Sequence, residues 1–318
     1  MNYTQNDEIM SITEQTLVVG VDIAKETHFA RAFDYRGIEL GKVFKFENTR
    51  EGLESFRKWI AALEKKEHKS SSIVGMEPTG HYWLNLGHYL KDREIRLVFV
   101  NPFHVKRSKE LDDNTPSKSD NKDPKTIAKL MIDGRYSEPY IPEGVYSELR
   151  TVMNLRDSIG KSLVRIKNQV VRWLDQYFPE FMVVFKDWEG KAALITLREF
   201  PTPDKIVSMD IDGVVATWKK SISRGVGVKR AIQLVEAAKD SIGIREGLRM
   251  AEKELSMLLM QYDLYKKQLA EIEYEMEQLA LQVPGVQEML TIKGVGITTA
   301  AGFIAEVGDI SRFSHPKQ

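Results

Sequence analysis

Leu17-Val18-Val19-Gly20-Val21-Asp22 is a run of β-forming apolar residues that ends on an acid. With Thr16 in front of it, the run suits a buried strand. A second run of the same form, Ser72-Ile73-Val74-Gly75-Met76-Glu77, also ends on an acid. Between the two, His28 to Phe33 and Lys42 to Phe46 alternate more, and Tyr35-Arg36-Gly37 supplies a turn, so the first three strands read as a meander. Thr49 suits an N-cap, and Leu53, Phe56, Ile60 and Leu63 mark one face of the helix behind it. Thr79-Gly80 punctuates before a helix through Trp83, Leu86 and Leu90, and Arg96 to Val100 is a further strand closed by Asn101-Pro102.

The stretch Lys118-Ser119-Asp120-Asn121-Lys122-Asp123-Pro124 opens the next helix. Proline suits a first turn, where its missing N–H costs little, and Ile127, Leu130 and Met131 then repeat at helical spacing. Asp120 and Asp123 are three apart, so at a first turn their carboxylates share a face. The order β-β-β-α-β-α-β-α is that of an RNase H-like α/β domain, here residues 14–138. Ligands of open sheets gather at strand carboxyl ends, where Asp22 and Glu77 fall. Any one of these acids alone reads equally as a solvated loop residue or a cap. Taken together, Asp22, Glu77, Asp120 and Asp123 form a set of oxygen donors suited to a hard cation such as Mg²⁺.

Composition narrows the class. At 318 residues the chain has room for two domains, and 42% hydrophobic with 29% charged residues is the balance of an ordinary folded protein. Met1 to Thr16 lacks the apolar core of a signal peptide, and no run is long enough to span a bilayer. The absence of cysteine excludes disulfides and thiolate metal sites and fits a reducing, cytoplasmic location. A net charge of +0 means that nucleic-acid binding would rest on local basic faces.

Beyond Pro139 and Pro142 the pattern turns helical, over 145–245. Leu149, Met153, Ile159, Leu163, Ile166, Val170 and Trp173 supply a core stripe, and Lys161, Arg165, Asn168 and Arg172 share another face, readable as a phosphate contact surface or a solvated face. Leu194 to Phe200 and Ile206 to Trp218 read as short helices, and Arg224-Gly225-Val226-Gly227 opens a helix through Ile232 and Val235. Within 246–283, Leu255, Tyr262, Leu269, Met276 and Val283 are seven apart, with Leu258, Tyr265, Ile272 and Leu279 three beyond the first four. That seam predicts a long coiled-coil helix, although a helix buried in its own domain carries a similar stripe. After Pro284-Gly285, Ile292 to Thr298 and Ala300 to Val307 read as a helix-hairpin-helix, with Lys293, Gly294 and Gly296 placed to meet a phosphate.

Gly20-Val21-Asp22-Ile23-Ala24-Lys25, Glu77-Pro78-Thr79-Gly80-His81-Tyr82-Trp83, Val100-Asn101-Pro102 and Lys118 to Asp123 resemble the successive motifs of the DEDD transposases of bacterial insertion sequences. The resemblance covers most of the chain; Pro124 stands where that family more often has alanine. It implies a RuvC-like first domain whose four acids match Asp22, Glu77, Asp120 and Asp123. It implies further a metal-supported, bridge-RNA-guided DNA recombinase that assembles as a homodimer or higher oligomer through the coiled coil. Residues 284–318 match the start of the family's second domain, whose serine nucleophile lies farther along than Gln318, so neither Ser311 nor Ser314 is assigned that role. The expectation is therefore an incomplete second domain, with salt-sensitive nucleic-acid binding but no strand transfer. Two alternatives stand beside it. One is a non-catalytic, dimeric RNA- or DNA-binding remnant; the other is an RNase H-like nuclease or actin-like ATPase or kinase. Against the ATPase, Ala24-Lys25 stands where those phosphate loops carry glycine and a hydroxyl.

Overall fold

The computed structural model describes residues 5–112, 123–222 and 227–313. The chain forms two compact units, one of residues 1–141 with 311–318 and one of residues 142–310. Residues 145–310 of the stretches read from sequence beyond the first domain lie in the second unit.

In the first unit, α1 (Gln5–Ser11) leads into β1 (Thr16–Asp22), β2 (Thr27–Phe33), β3 (Phe44–Glu47), α2 (Arg50–Lys66), β4 (Ser71–Met76), α3 (Trp83–Lys91), β5 (Arg96–Val100), α4 (Pro102–Asp112), α5 (Asp123–Ile132) and β6 (Tyr136–Ser137). The six strands lie in the order β3-β2-β1-β4-β5-β6. β1, β4 and β5 run parallel, while β2, β3 and β6 are antiparallel to their neighbours. The three-strand meander, the strands near 71–76 and 96–100 and Thr49 as N-cap, whose side chain accepts the N–H of Gly52, follow the sequence reading.

Side-chain alternation gives the sheet two cores. Leu17, Val19, Val21, Val74 and Met76 face α2 and α3, meeting Phe56, Ile60, Leu86 and Leu90. Val18, Ile73, Val98 and Val100 face the opposite way, onto Val105 of α4 and Ile127, Ala128 and Met131 of α5. Gly20 and Gly75 are register partners on β1 and β4. A Cβ at Gly20 would stand 1.9 Å from the Pro124 carbonyl oxygen, and one at Gly75 would stand 2.1 Å from the Met131 sulfur. The two glycines cut a shallow trough across the sheet, and α5 lies in it. Glycine inside a strand often marks such a close approach.

Among its described residues the second unit is helical, with α6 (Gly144–Tyr177), α7 (Phe181–Val184), α8 (Lys191–Glu199), α9 (Pro203–Lys219), α10 (Val228–Lys239), α11 (Leu248–Ala280), α12 (Val286–Leu290) and α13 (Ile297–Val307). Its frame is the pair α6 and α11, of 34 and 33 residues, each about 50 Å long at 1.5 Å per residue. They run antiparallel. Leu163 to Leu174 of α6 pack with Ala251 to Tyr262 of α11, while Leu149 and Val152 pack with Met276 and Ala280. The indole N–H of Trp173 donates to the Ala251 carbonyl at 2.8 Å, and Arg156 bonds Glu273 at 2.9 Å.

The heptad seam is filled within the chain: Leu255, Leu258, Tyr262, Met276 and Val283 are buried, and Tyr265, Leu269, Ile272 and Leu279 are packed against the same cores. Its described partner is α6. The predicted helix through Val235 is α10, but Ile232 is exposed on it while Ala231 and Leu234 are buried. At the far end, Arg150 donates to the carbonyls of Ala305 and Glu306, at 2.9 and 3.1 Å, and so caps α13.

Candidate active site

β1 and β4 are parallel, so Asp22 and Glu77 emerge at the same end of the sheet, each one residue beyond the register pair Val21 and Met76. Neighbouring strands lie about 4.8 Å apart, which sets the scale of their separation. The alternation that turns Gly20 and Gly75 toward α5 assigns Asp22 and Glu77 to that same face. Asp123 is the first residue of α5, and Pro124 behind it has its carbonyl over Gly20. The trough therefore delivers the start of α5 to the strand ends that carry the other two acids. All three are partly buried.

Asp120 lies outside the described residues. Among the described residues no group of three or more His, Cys, Asp or Glu side chains stands ready to hold a metal ion. Donor chemistry still fits a hard divalent cation, because each acid at this end of the sheet offers carboxylate oxygens and no softer ligand. Glu77 is also oriented: the Thr79 hydroxyl donates to its Oε1 at 3.0 Å, and the Thr79 N–H donates to its carbonyl at 2.8 Å. Reading the sequence for turns passed over that role of Thr79. A hydroxyl two residues after an acid was the available signal.

The proposed nucleic-acid contacts fall on the second unit. Lys161, Arg165, Asn168 and Arg172 are all exposed on α6, at spacings of 4, 3 and 4 residues that align them along one face. The buried stripe of α6, from Leu149 to Trp173, occupies a different face. Lys293, Gly294 and Gly296 are exposed in the loop between α12 and α13. Gly294 has φ of +92°, Gly296 caps α13 in an extended conformation, and a Cβ at either would meet open space. α12 spans five residues and α13 eleven.

No helix among the described residues is long and apolar enough to cross a membrane. A family model described as a transposase of the DEDD, IS110 type matches residues 19–179, slightly more than half of the chain. A second, described as the transposase IS116/IS110/IS902 family, matches residues 286–318. Comparison with curated proteins finds no match. The first match runs from β1 through both strand-end acids and α5 to the end of α6, and on that extent the chain belongs to the IS110-type family of DEDD transposases.

Proposed function

We propose that this transposase is a DNA recombinase in which Asp22, Glu77, Asp120 and Asp123 hold a divalent cation, Mg²⁺ by donor type, at the carboxyl end of β1 and β4. The observation that carries the reading is the glycine trough, which brings the start of α5 to the strand ends bearing Asp22 and Glu77. A bound divalent ion would supply charge stabilisation to oxygens of a phosphodiester during cleavage and rejoining. Asp22 and Glu77 would hold the ion from adjacent strands and Asp123 from the first turn of α5, while the Thr79 hydroxyl orients the Glu77 carboxylate. The nucleophile is a serine of the second domain, by resemblance to the family, and no residue of this chain is assigned to it.

DNA and a bridge RNA are the partners the family implies. Lys161, Arg165 and Arg172 on α6 and the Lys293 to Gly296 loop offer phosphate contacts. Assembly of protomers has a surface as well. Opposite its buried seam, α11 exposes Met250, Met257, Met260 and Leu264. These are spaced by 7, 3 and 4 residues, a second narrow seam left open by α6.

The test is Mn²⁺ titration, followed by electron paramagnetic resonance, of the full chain and of Asp22→Asn, Glu77→Gln and Asp123→Asn. Each substitution is expected to weaken binding at least tenfold while the protein stays folded. Wild-type affinity in all three variants would refute the shared site.

A further inference from the structure

We infer that His28 and Asn48 are positioning residues, which together set the backbone of the loop leaving Asp22; the inference rests on the metal reading above. Residues 23–26 join β1 to β2 outside the strand ladder, so their backbone polar groups need other partners. His28 is fully buried on β2, beside Phe46 with ring centroids 5.0 Å apart. Its Nδ1 accepts the N–H of Ala24 at 3.3 Å. An accepting Nδ1 places the proton of the neutral ring on Nε2.

That Nε2 and the Oδ1 of Asn48 are both buried, and neither makes a bond of ordinary geometry among the described residues. One is a donor and the other an acceptor, and buried orphans of opposite kind are costly unless they serve each other. Burial lowers the His28 pKa, keeping the ring neutral, and the Asn48 side chain acts on it in the opposite sense, as a near polar neighbour does. The other end of Asn48 is anchored: Nδ2 donates to the Lys25 carbonyl at 3.2 Å, and its backbone N–H donates to the Glu26 carbonyl at 2.9 Å.

The resulting chain runs from the Ala24 N–H to Nδ1, from Nε2–H to Asn48 Oδ1, and from Nδ2–H to the Lys25 carbonyl. Together with the Asn48 N–H on the Glu26 carbonyl, it ties three consecutive loop residues to β2 and to the end of β3. An apolar side chain at position 28 would fill the same space beside Phe46 but leave the Ala24 N–H and the Asn48 Oδ1 without the ring. The histidine is thus explained by the loop it fastens, and that loop begins at the residue after Asp22.

Two measurements on the full chain test this. Selective ¹⁵N labelling of histidine should show His28 at neutral pH with its proton on Nε2 and a bare Nδ1. The opposite tautomer, or a charged ring, overturns the assignment without recourse to any variant. His28→Phe and Asn48→Leu should each speed amide exchange at 23–26 and raise the Mn²⁺ dissociation constant about tenfold, the scale seen when a partner orienting a metal ligand is removed. The double variant should be no worse than either single one. Variants that lose stability to urea but keep wild-type Mn²⁺ affinity and loop exchange make the pair merely structural and overturn the positioning role. A wild-type chain that binds no Mn²⁺ sinks the metal reading instead, and the tautomer and the exchange at 23–26 then decide the fastening.

Discussion

Replacing each of the two trough glycines by alanine separates the fold's tolerance at two positions that look alike in sequence. Gly20 and Gly75 are register partners, and α5 crosses both. At Gly20 the new methyl would stand 1.9 Å from the Pro124 carbonyl oxygen, with the Pro124 carbonyl carbon at 2.9 Å and the Ala128 nitrogen at 3.0 Å. Ordinary contact begins near 3.4 Å, so the helix backbone must withdraw by about 1.5 Å. Overpacking of this kind costs about 1–3 kcal/mol and more when rigid backbone has to move. Removing a glycine from the unfolded chain returns about 0.4–1 kcal/mol, since neither glycine has a positive φ. The net expectation for Gly20→Ala is a loss of about 2–3 kcal/mol. At Gly75 the obstacles are the sulfur, Cγ and Cε of Met131, an unbranched side chain that can change rotamer, and the net loss should stay within about 1 kcal/mol. Urea unfolding of the two variants measures the difference, and Mn²⁺ titration reads the site. Gly20→Ala should weaken the ion, because the helix that carries Asp123 has been pushed off β1. Equal losses at the two positions, or a Gly20→Ala protein as stable as wild type, would refute the trough as the device that seats α5.

Three further outcomes are expected. Glu54 accepts from Arg57 and from the Tyr89 hydroxyl, and these bonds hold its pKa at about 2 against a usual 4.5. A carboxylate depressed on folding contributes stability above pH 4.5 that is lost as pH falls toward about 2, so Glu54→Gln should flatten the acid limb of a pH–stability curve in that window. Arg150→Met should cost the second unit about 1–2 kcal/mol in thermal unfolding, because two carbonyls at the end of α13 lose a cationic donor. Changing Lys161, Arg165 and Arg172 together to alanine should lower the slope of log affinity against log salt for duplex DNA by about three, and an unchanged slope would remove α6 from the interface.

The strands that position the site were legible because their apolar runs are short, bounded and end on acids. Thr16–Asp22 and Arg96–Val100 carry the predicted bounds, and β4 gains only Ser71. The short β6 and the helix α4 escaped notice. Two residues carry no periodicity, and α4 shows too little segregation of apolar and polar faces to stand out. Gly20 and Gly75 were read as members of strands, although a glycine there also announces a close neighbour; only register reveals that the two face one helix together. The α11 seam is instructive in another way. Heptad spacing reports that one face of a helix is covered, but it is silent on whether the cover comes from the same chain. Here α6 covers it, and the exposed methionines on the other face are spaced like a seam in their own right. That Asp22 and Glu77 leave the sheet at the same end, with the start of α5 laid over Gly20, follows from the parallel pairing of β1 and β4 and the seat of α5, which are properties of the fold.

The seat of α5 also imposes a timetable. Gly20 leaves the ribosome about a hundred residues before the Pro124 carbonyl that covers it. At ordinary elongation rates of about 5–20 residues per second, the strands bearing Asp22 and Glu77 wait several seconds for the helix that brings Asp123. During that interval the nascent chain carries two of the acids without the third. A ribosome that stalls before α5 releases a protein whose trough is open, and the cation site proposed above would then lack the acid that α5 carries.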